Sequence, residues 1–172
     1  MVMDWTPTDP EPGDLRIADF PDLVGKEFAV TDWVTIDQER VTMFGVATEH
    51  RHWLHLDTER ALRDGPYGGT LAHGFLVTSL LSHFMDNVRM RPRDAAFGLN
   101  YGYDKVRYLA PLVTGDDTRI RDRISISDAS WRPGGRMMVK TANHFEQDGN
   151  PDPIAFAEWL VLWVPKDGGD EP

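Results

Sequence analysis

The stretch AHGFLVTSLLSHFMDNV, residues 72–88, decides the fold. Phe75, Leu76, Leu80, Leu81, Phe84 and Met85 recur there at helical spacing and nearly encircle the axis. A helix apolar on most sides is a buried one, so the spacing predicts a single long core helix over 72–88. Before it lies DGPYGGT, residues 64–70, rich in residues that break regular structure. After it, strand-like runs at 96–109, 117–127, 136–146 and 154–164 alternate with turns carrying PLVTGD, RPGG and DGNPDP. Upstream, KEFAVTDWVTI (26–36) reads as one strand with aromatic and β-branched residues. Asp37 reads as a helix N-cap. Val41, Phe44, Val46 and Ala47 supply the apolar face of a short helix ending near Thr48, and a second short helix is expected over 58–63.

Strand, short helix, loop, long buried helix and four strands make an α+β chain, with an antiparallel sheet wrapped around one long central helix. This is the hot-dog arrangement. The 172 residues suit a single domain, with boundaries expected at 15–166. An acidic, proline-rich arm over 1–14 and a short tail over 167–172 are expected to be loose. With 41% hydrophobic and 27% charged residues the chain can build a sizeable core. It has no cysteine, which excludes disulfides, a thiolate nucleophile and Cys-based zinc sites. The start lacks the basic and apolar regions of a signal peptide, and no apolar run approaches the roughly 20 residues that span a bilayer. The expected location is the cytoplasm, with no membrane partner. A net charge of −10 disfavours nucleic acid, whose binding rests on phosphate neutralisation. Open sheet edges commonly pair with a second copy, so a homodimer is expected.

The chemistry concentrates in EHRHWLHLD, residues 49–57. His50, His52, His55 and Asp57 lie within eight positions, and such donors can complete a zinc or iron site. Trp33 and Trp53 are candidates for shaping an apolar pocket. His73 precedes the helix glycine and reads as a histidine that bonds backbone in the turn. His83 and His144 have no patterned partner. Gly68, Gly69 and Gly74 lack both the strand-GxGxxG-helix context and Walker spacing, so they form no nucleotide loop. Arg89, Arg91 and Arg93, and separately Lys105 and Arg107, are basic clusters that read either as solvated surface or as contacts for an anionic ligand.

Three segments resemble the MaoC-like family, which includes the (R)-specific enoyl-CoA hydratases: 35–57 (TIDQERVTMFGVATEHRHWLHLD), 65–82 (GPYGGTLAHGFLVTSLLS) and 100–116 (NYGYDKVRYLAPLVTGD). They cover about a third of the chain, in family order. The resemblance implies a hydratase or dehydratase, a hydro-lyase acting on a 2-enoyl or 3-hydroxyacyl thioester of coenzyme A or a carrier protein. It implies no metal and no redox cofactor. It places the catalytic histidine on His55, the backbone donor for the thioester oxygen on Gly74 and a helix serine on Ser82. The family Asp, five positions before that histidine, falls on His50, and the loop amide falls on His52. Glu49, next to His50, is the alternative carboxylate. His52, Trp53, His73, Lys105 and Arg107 are expected to contact substrate. The His-for-Asp exchange leaves three further readings open. One is altered chemistry, such as double-bond isomerisation or dehydration of a bulky substrate not carried by coenzyme A. The others are a non-catalytic ligand-binding protein and a histidine metal site.

Overall fold

The computed structural model describes residues 6–7 and 9–166. The expected tail, 167–172, and most of the first eight residues lie outside them. A 3-10 turn, Ile17–Asp19, leads into α1 (Phe20–Leu23). Then follow β1 (Glu27–Val30), β2 (Val34–Thr35), α2 (Gln38–Ala47), α3 (Trp53–Leu56) and α4 (Thr58–Asp64). The second half holds α5 (Gly74–Ser79), α6 (Leu81–Asn87), β3 (Ala95–Tyr108), β4 (Arg119–Arg132), β5 (Arg136–Gln147) and β6 (Pro153–Pro165). The strands form one antiparallel sheet in the order β1-β4-β5-β6-β3, with β2 also on β4. The α+β class and the sheet packed on a helix therefore stand as expected.

Inward residues alternate along the strands, as period-2 geometry demands: Ile120, Ile124 and Ile126 on β4, Met137, Val139 and Phe145 on β5, and Ala157, Trp159, Val161 and Trp163 on β6. They close on Leu76, Val77, Leu81 and Phe84 of α5 and α6. Phe84 lies against Phe145, and Phe20 stacks on Trp163, each with ring centroids 6.3 Å apart. Fully burying one such aromatic stabilises by about 1.5–3 kcal/mol.

Four expectations are corrected. The strand over 26–36 is two strands, because Thr31 leaves the ladder: its Oγ1 accepts the Asp122 N–H at 2.9 Å while its own N–H reaches the Asp122 carbonyl at 2.9 Å. The long helix is two segments that meet at Leu80 (ψ −7°). Thr78 and Ser79 hydroxyls donate back to the carbonyls of Phe75 (3.2 Å) and Leu76 (2.7 Å), which pulls the turn out of regular geometry. Phe75 is not core: it is 76% exposed, because the sheet covers one side of this helix only. Val46 is exposed too, so the buried face of α2 is Val41 and Gly45. The Asp37 cap is present, with Oδ1 accepting the Arg40 N–H at 2.8 Å.

The acidic arm touches down on the chain. The Gly13 N–H donates to the Arg91 carbonyl (2.8 Å), and Glu11 and Asp9 pair with Arg89 (2.8 Å) and Arg91 (2.6 Å). Two of the three arginines read as possible anion contacts are thus occupied by the protein's own carboxylates. No helix among the described residues is long and apolar enough to cross a membrane.

Candidate active site

The segment 70–72 is the hinge of the site. Its backbone pairs with 112–114 through Ala72 N–H to Leu112 O (2.8 Å) and Thr114 N–H to Thr70 O (2.9 Å). On its other side the Leu71 N–H donates to the Leu54 carbonyl (2.9 Å). These bonds lay the loop carrying His50, His52 and His55 against His73, the residue that precedes α5.

His55 sits in the single turn α3, within a stretch whose sequence reads only as polar and histidine-dense. The His52 side chain caps this turn, its Nδ1 accepting the Leu54 N–H at 3.3 Å. The His55 Nδ1–H donates to the Leu71 carbonyl at 2.7 Å, leaving Nε2 with the lone pair. Gln38, from the start of α2, donates Nε2 to the His55 carbonyl at 2.8 Å. The Gln38 Oε1 accepts the hydroxyls of Thr70 and Thr114.

His73 is 3% exposed, and its ring lies on that of His55 with centroids 3.8 Å apart and planes 24° from parallel. Its Nε2–H donates to the His50 carbonyl at 3.2 Å. The exposed His50 ring sits 5.4 Å from that of His55 and 5.3 Å from that of His73. Burial, the largest cause, holds the His55 imidazole below its ordinary pKa against the opposing Leu71 bond, and the charges of His50 and His52 add to the lowering. Burial likewise lowers His73, against its bond to His50, with His55 and His50 adding to the effect. Both rings therefore favour the neutral form, and His55 is set up as a base at neutral pH.

Gly74 begins α5 beside His73, and no acceptor takes its N–H among the described residues. A Cβ there would lie 2.9 Å from three ring atoms of Tyr108, so glycine lets the Tyr108 ring cover the helix start. The Tyr108 hydroxyl and Thr78 Oγ1 are 3.2 Å apart. A cavity of about 150 Å³ opens here, lined by Ala72, Gly74, Val77, Tyr108 and Leu112 among others.

The structure therefore brings His50, His52, His55, His73 and Gly74 together, with Trp53 at the edge under the Arg60 guanidinium (4.4 Å). Ser82 lies on the exposed side of α6, and no hydrogen bond joins it to the histidines among the described residues. Lys105 and Arg107 line a separate open cleft with Leu109, His144, Pro153 and Phe156. Trp33 is not part of the pocket: Arg121 stacks on it at 4.5 Å, and Arg121 is held in turn by Glu146. Asp57 caps α4 by accepting the Arg60 N–H at 2.9 Å, so its carboxylate is engaged away from the histidines. Glu49 is exposed with φ +59°, a left-handed position uncommon for a non-glycine residue.

Three positioning residues escaped the sequence reading. Gln38 and Thr70 offered no local signal, since their partners are 17 and 32 positions away. Gly45 did offer one, as a glycine inside a helical pattern. A Cβ there would meet Leu56 Cδ2 (3.1 Å), the His50 carbonyl (3.2 Å) and His73 Cε1 (3.3 Å), so its absence lets the histidine loop close on α2.

A family model described as the MaoC like domain matches residues 19–142. Nodulation protein N of Rhizobium leguminosarum bv. viciae is 36% identical over 160 residues, covering 92% of this chain and 97% of that protein. The 3-hydroxyacyl-thioester dehydratase Z of Mycobacterium tuberculosis is 34% identical over 148 residues, covering 86% and 95%. Among solved structures, the unliganded R-hydratase of Pseudomonas aeruginosa superposes with a TM-score of 0.65 at 18% identity, covering 92% of this chain and 94% of that one. That last likeness speaks for the fold alone. With the model spanning most of the chain and relatives matched almost end to end, the chain belongs to the MaoC-like dehydratase family.

Proposed function

We propose that the protein catalyses the reversible addition of water to a 2-enoyl thioester, yielding the 3-hydroxyacyl thioester, on coenzyme A or a carrier protein in the cytoplasm. The observation that carries this reading is the His55 imidazole, locked through Nδ1 onto Leu71 and favouring its neutral form, one contact from the start of α5. His55 takes a proton from water through Nε2 while the hydroxyl adds to C3 of the substrate. His50, standing where the family has Asp, shares that water. The Gly74 N–H receives the negative charge that develops on the thioester oxygen, and one such donor supplies about 3 kcal/mol to a transition state. The imidazolium then returns the proton to C2. Ser82, exposed on α6, assists in lining the acyl path. His52, Trp53 and His73 border the substrate, and Lys105 and Arg107 offset the anionic charge of its carrier. The active form is a homodimer.

The test is the rate of crotonyl-CoA hydration, read as loss of enoyl absorbance with a metal chelator present. Wild type, His55→Ala and His50→Asp are compared. Wild-type hydration that falls about 10²–10⁴-fold in His55→Ala is expected. Hydration only by His50→Asp would mean that the natural reaction of this pocket is a different one. No hydration by any of the three would point to a binding role.

A further inference from the structure

The histidine cluster holds one more chemistry than acid-base catalysis. One ring nitrogen from each of His50, His55 and His73 lies within 4.8 Å of the other two. His55 and His73 each donate one ring N–H to a backbone carbonyl, of Leu71 and His50 respectively, leaving His55 Nε2 and His73 Nδ1 with lone pairs. Such bonds fix the tautomer and orient the imidazoles of metal-binding histidines. The remaining nitrogen of His73, Nδ1, is buried with no hydrogen-bond partner. Leaving such a group unpaired costs about 1–3 kcal/mol, and its burial calls for a ligand that the protein itself does not supply.

We propose that His50, His55 and His73 form a binding site for one divalent transition-metal ion of the zinc class. Three neutral imidazoles suit zinc and its neighbours, whereas magnesium and calcium require oxygen ligands. Asp57, two positions after His55, is engaged in capping α4, and His52 spends its Nδ1 on capping α3. Tetrahedral bonds of about 2.0–2.1 Å place ligand nitrogens about 3.4 Å apart, so the trio must close by about 1.4 Å from the 4.8 Å limit. An imidazole lone pair lies in its ring plane, so the His55–His73 stack, 24° from parallel, must splay for both rings to face one ion. His50, exposed and next to the left-handed Glu49, swings in as the third ligand. Three protein ligands leave a fourth position open for water.

The site shares His50 and His55 with the hydratase reading but does not rest on it, and its test uses no thioester. Metal-free protein is titrated with Zn²⁺ by calorimetry and with Co²⁺ by visible absorption, for wild type, His50→Ala, His55→Ala and His144→Ala. One Zn²⁺ per chain is expected, with the intense bands of tetrahedral Co²⁺. Affinity should fall at least tenfold in His50→Ala and His55→Ala and stay unchanged in His144→Ala. His50 is exposed, so its removal leaves the core intact. Absence of Zn²⁺ binding at micromolar concentration, weak six-coordinate Co²⁺ bands, or equal affinity in His50→Ala would overturn the proposal. Zinc binding without hydration leaves this site standing and removes the hydratase reading; hydration under chelator without zinc binding does the reverse.

Discussion

Gln38 spends both ends of its amide on the site, donating to the His55 carbonyl and accepting from Thr70 and Thr114. Gln38→Leu keeps the bulk and removes both roles, leaving the part-buried His55 carbonyl without a partner and the Thr70 and Thr114 hydroxyls with only each other and the Thr70 carbonyl, at about 1–3 kcal/mol. Expected are a lower urea midpoint, with the unfolding free energy reduced by that amount, and a larger effect on kcat than on KM for thioester hydration, since His55 is misplaced and not removed. An unchanged midpoint would show that the network is dispensable. Asp122 poses the opposite problem. It occupies an inward position of β4 between Ile120 and Ile124, fully buried, with both carboxylate oxygens unpartnered. Burial, and then the charge of Glu146, raises its pKa well above the usual carboxylate range. The folded state therefore holds the proton after the unfolded chain has lost it. Stability falls as pH rises from about 4 through the raised folded value, and the cost persists above it. Asp122→Asn cannot ionise, so its stability relative to wild type should climb as pH rises from about 4 through the raised folded value in denaturant titrations. A difference that stays flat across that range would contradict the assignment.

The elements repeat the lesson that local pattern is overruled where side chains bond backbone. The 72–88 pattern placed a helix correctly in sequence, yet its Thr78-Ser79 pair turned one helix into two. The strand pattern of 26–36 was broken by Thr31 in the same way. The four later strands stood near their expected places, because alternation over a dozen residues is a strong signal; β4 runs on to Arg132, closed against Arg136 by a tight turn with Gly134 and Gly135 at positive φ. On β3, Gly98 faces Trp163, and a Cβ there would stand 2.6 Å from Cζ3 of that buried ring. Trp163 is packed against Phe20 and cannot retreat. Gly98→Ala should destabilise by about 1–3 kcal/mol, as overpacking does, seen as a lower melting temperature with a changed tryptophan fluorescence. An unaltered melting temperature would mean that β3 yields instead.

For the whole molecule, β3 is the edge of the sheet, and it carries exposed Phe97, Leu99, Tyr101 and Tyr103. Phe75 on α5 and Leu109 are exposed as well. A long apolar edge is a template for pairing with another chain, and an exposed apolar set of this kind marks an interaction surface. Sedimentation should give a dimer at micromolar concentration, shifted towards monomer by Tyr101→Lys, since edge lysines block strand pairing. A wild-type monomer would refute the dimer.

Periodicity and composition by themselves determined the α+β class, the order of the elements and the absence of any thiol chemistry, because these follow from the spacing and identity of neighbouring residues. Family motifs in the chain also marked His50, His55 and Gly74 as neighbours in one site. Only the tertiary structure decided that His73 stacks on His55, that Gln38 and Gly45 hold the loop in place, and that Trp33, Lys105 and Arg107 stand apart from it. Those contacts join residues tens of positions apart through the backbone bonds of 70–72 to 54 and 112–114. Such pairings depend on which surfaces the core leaves facing each other, and no local spacing encodes that.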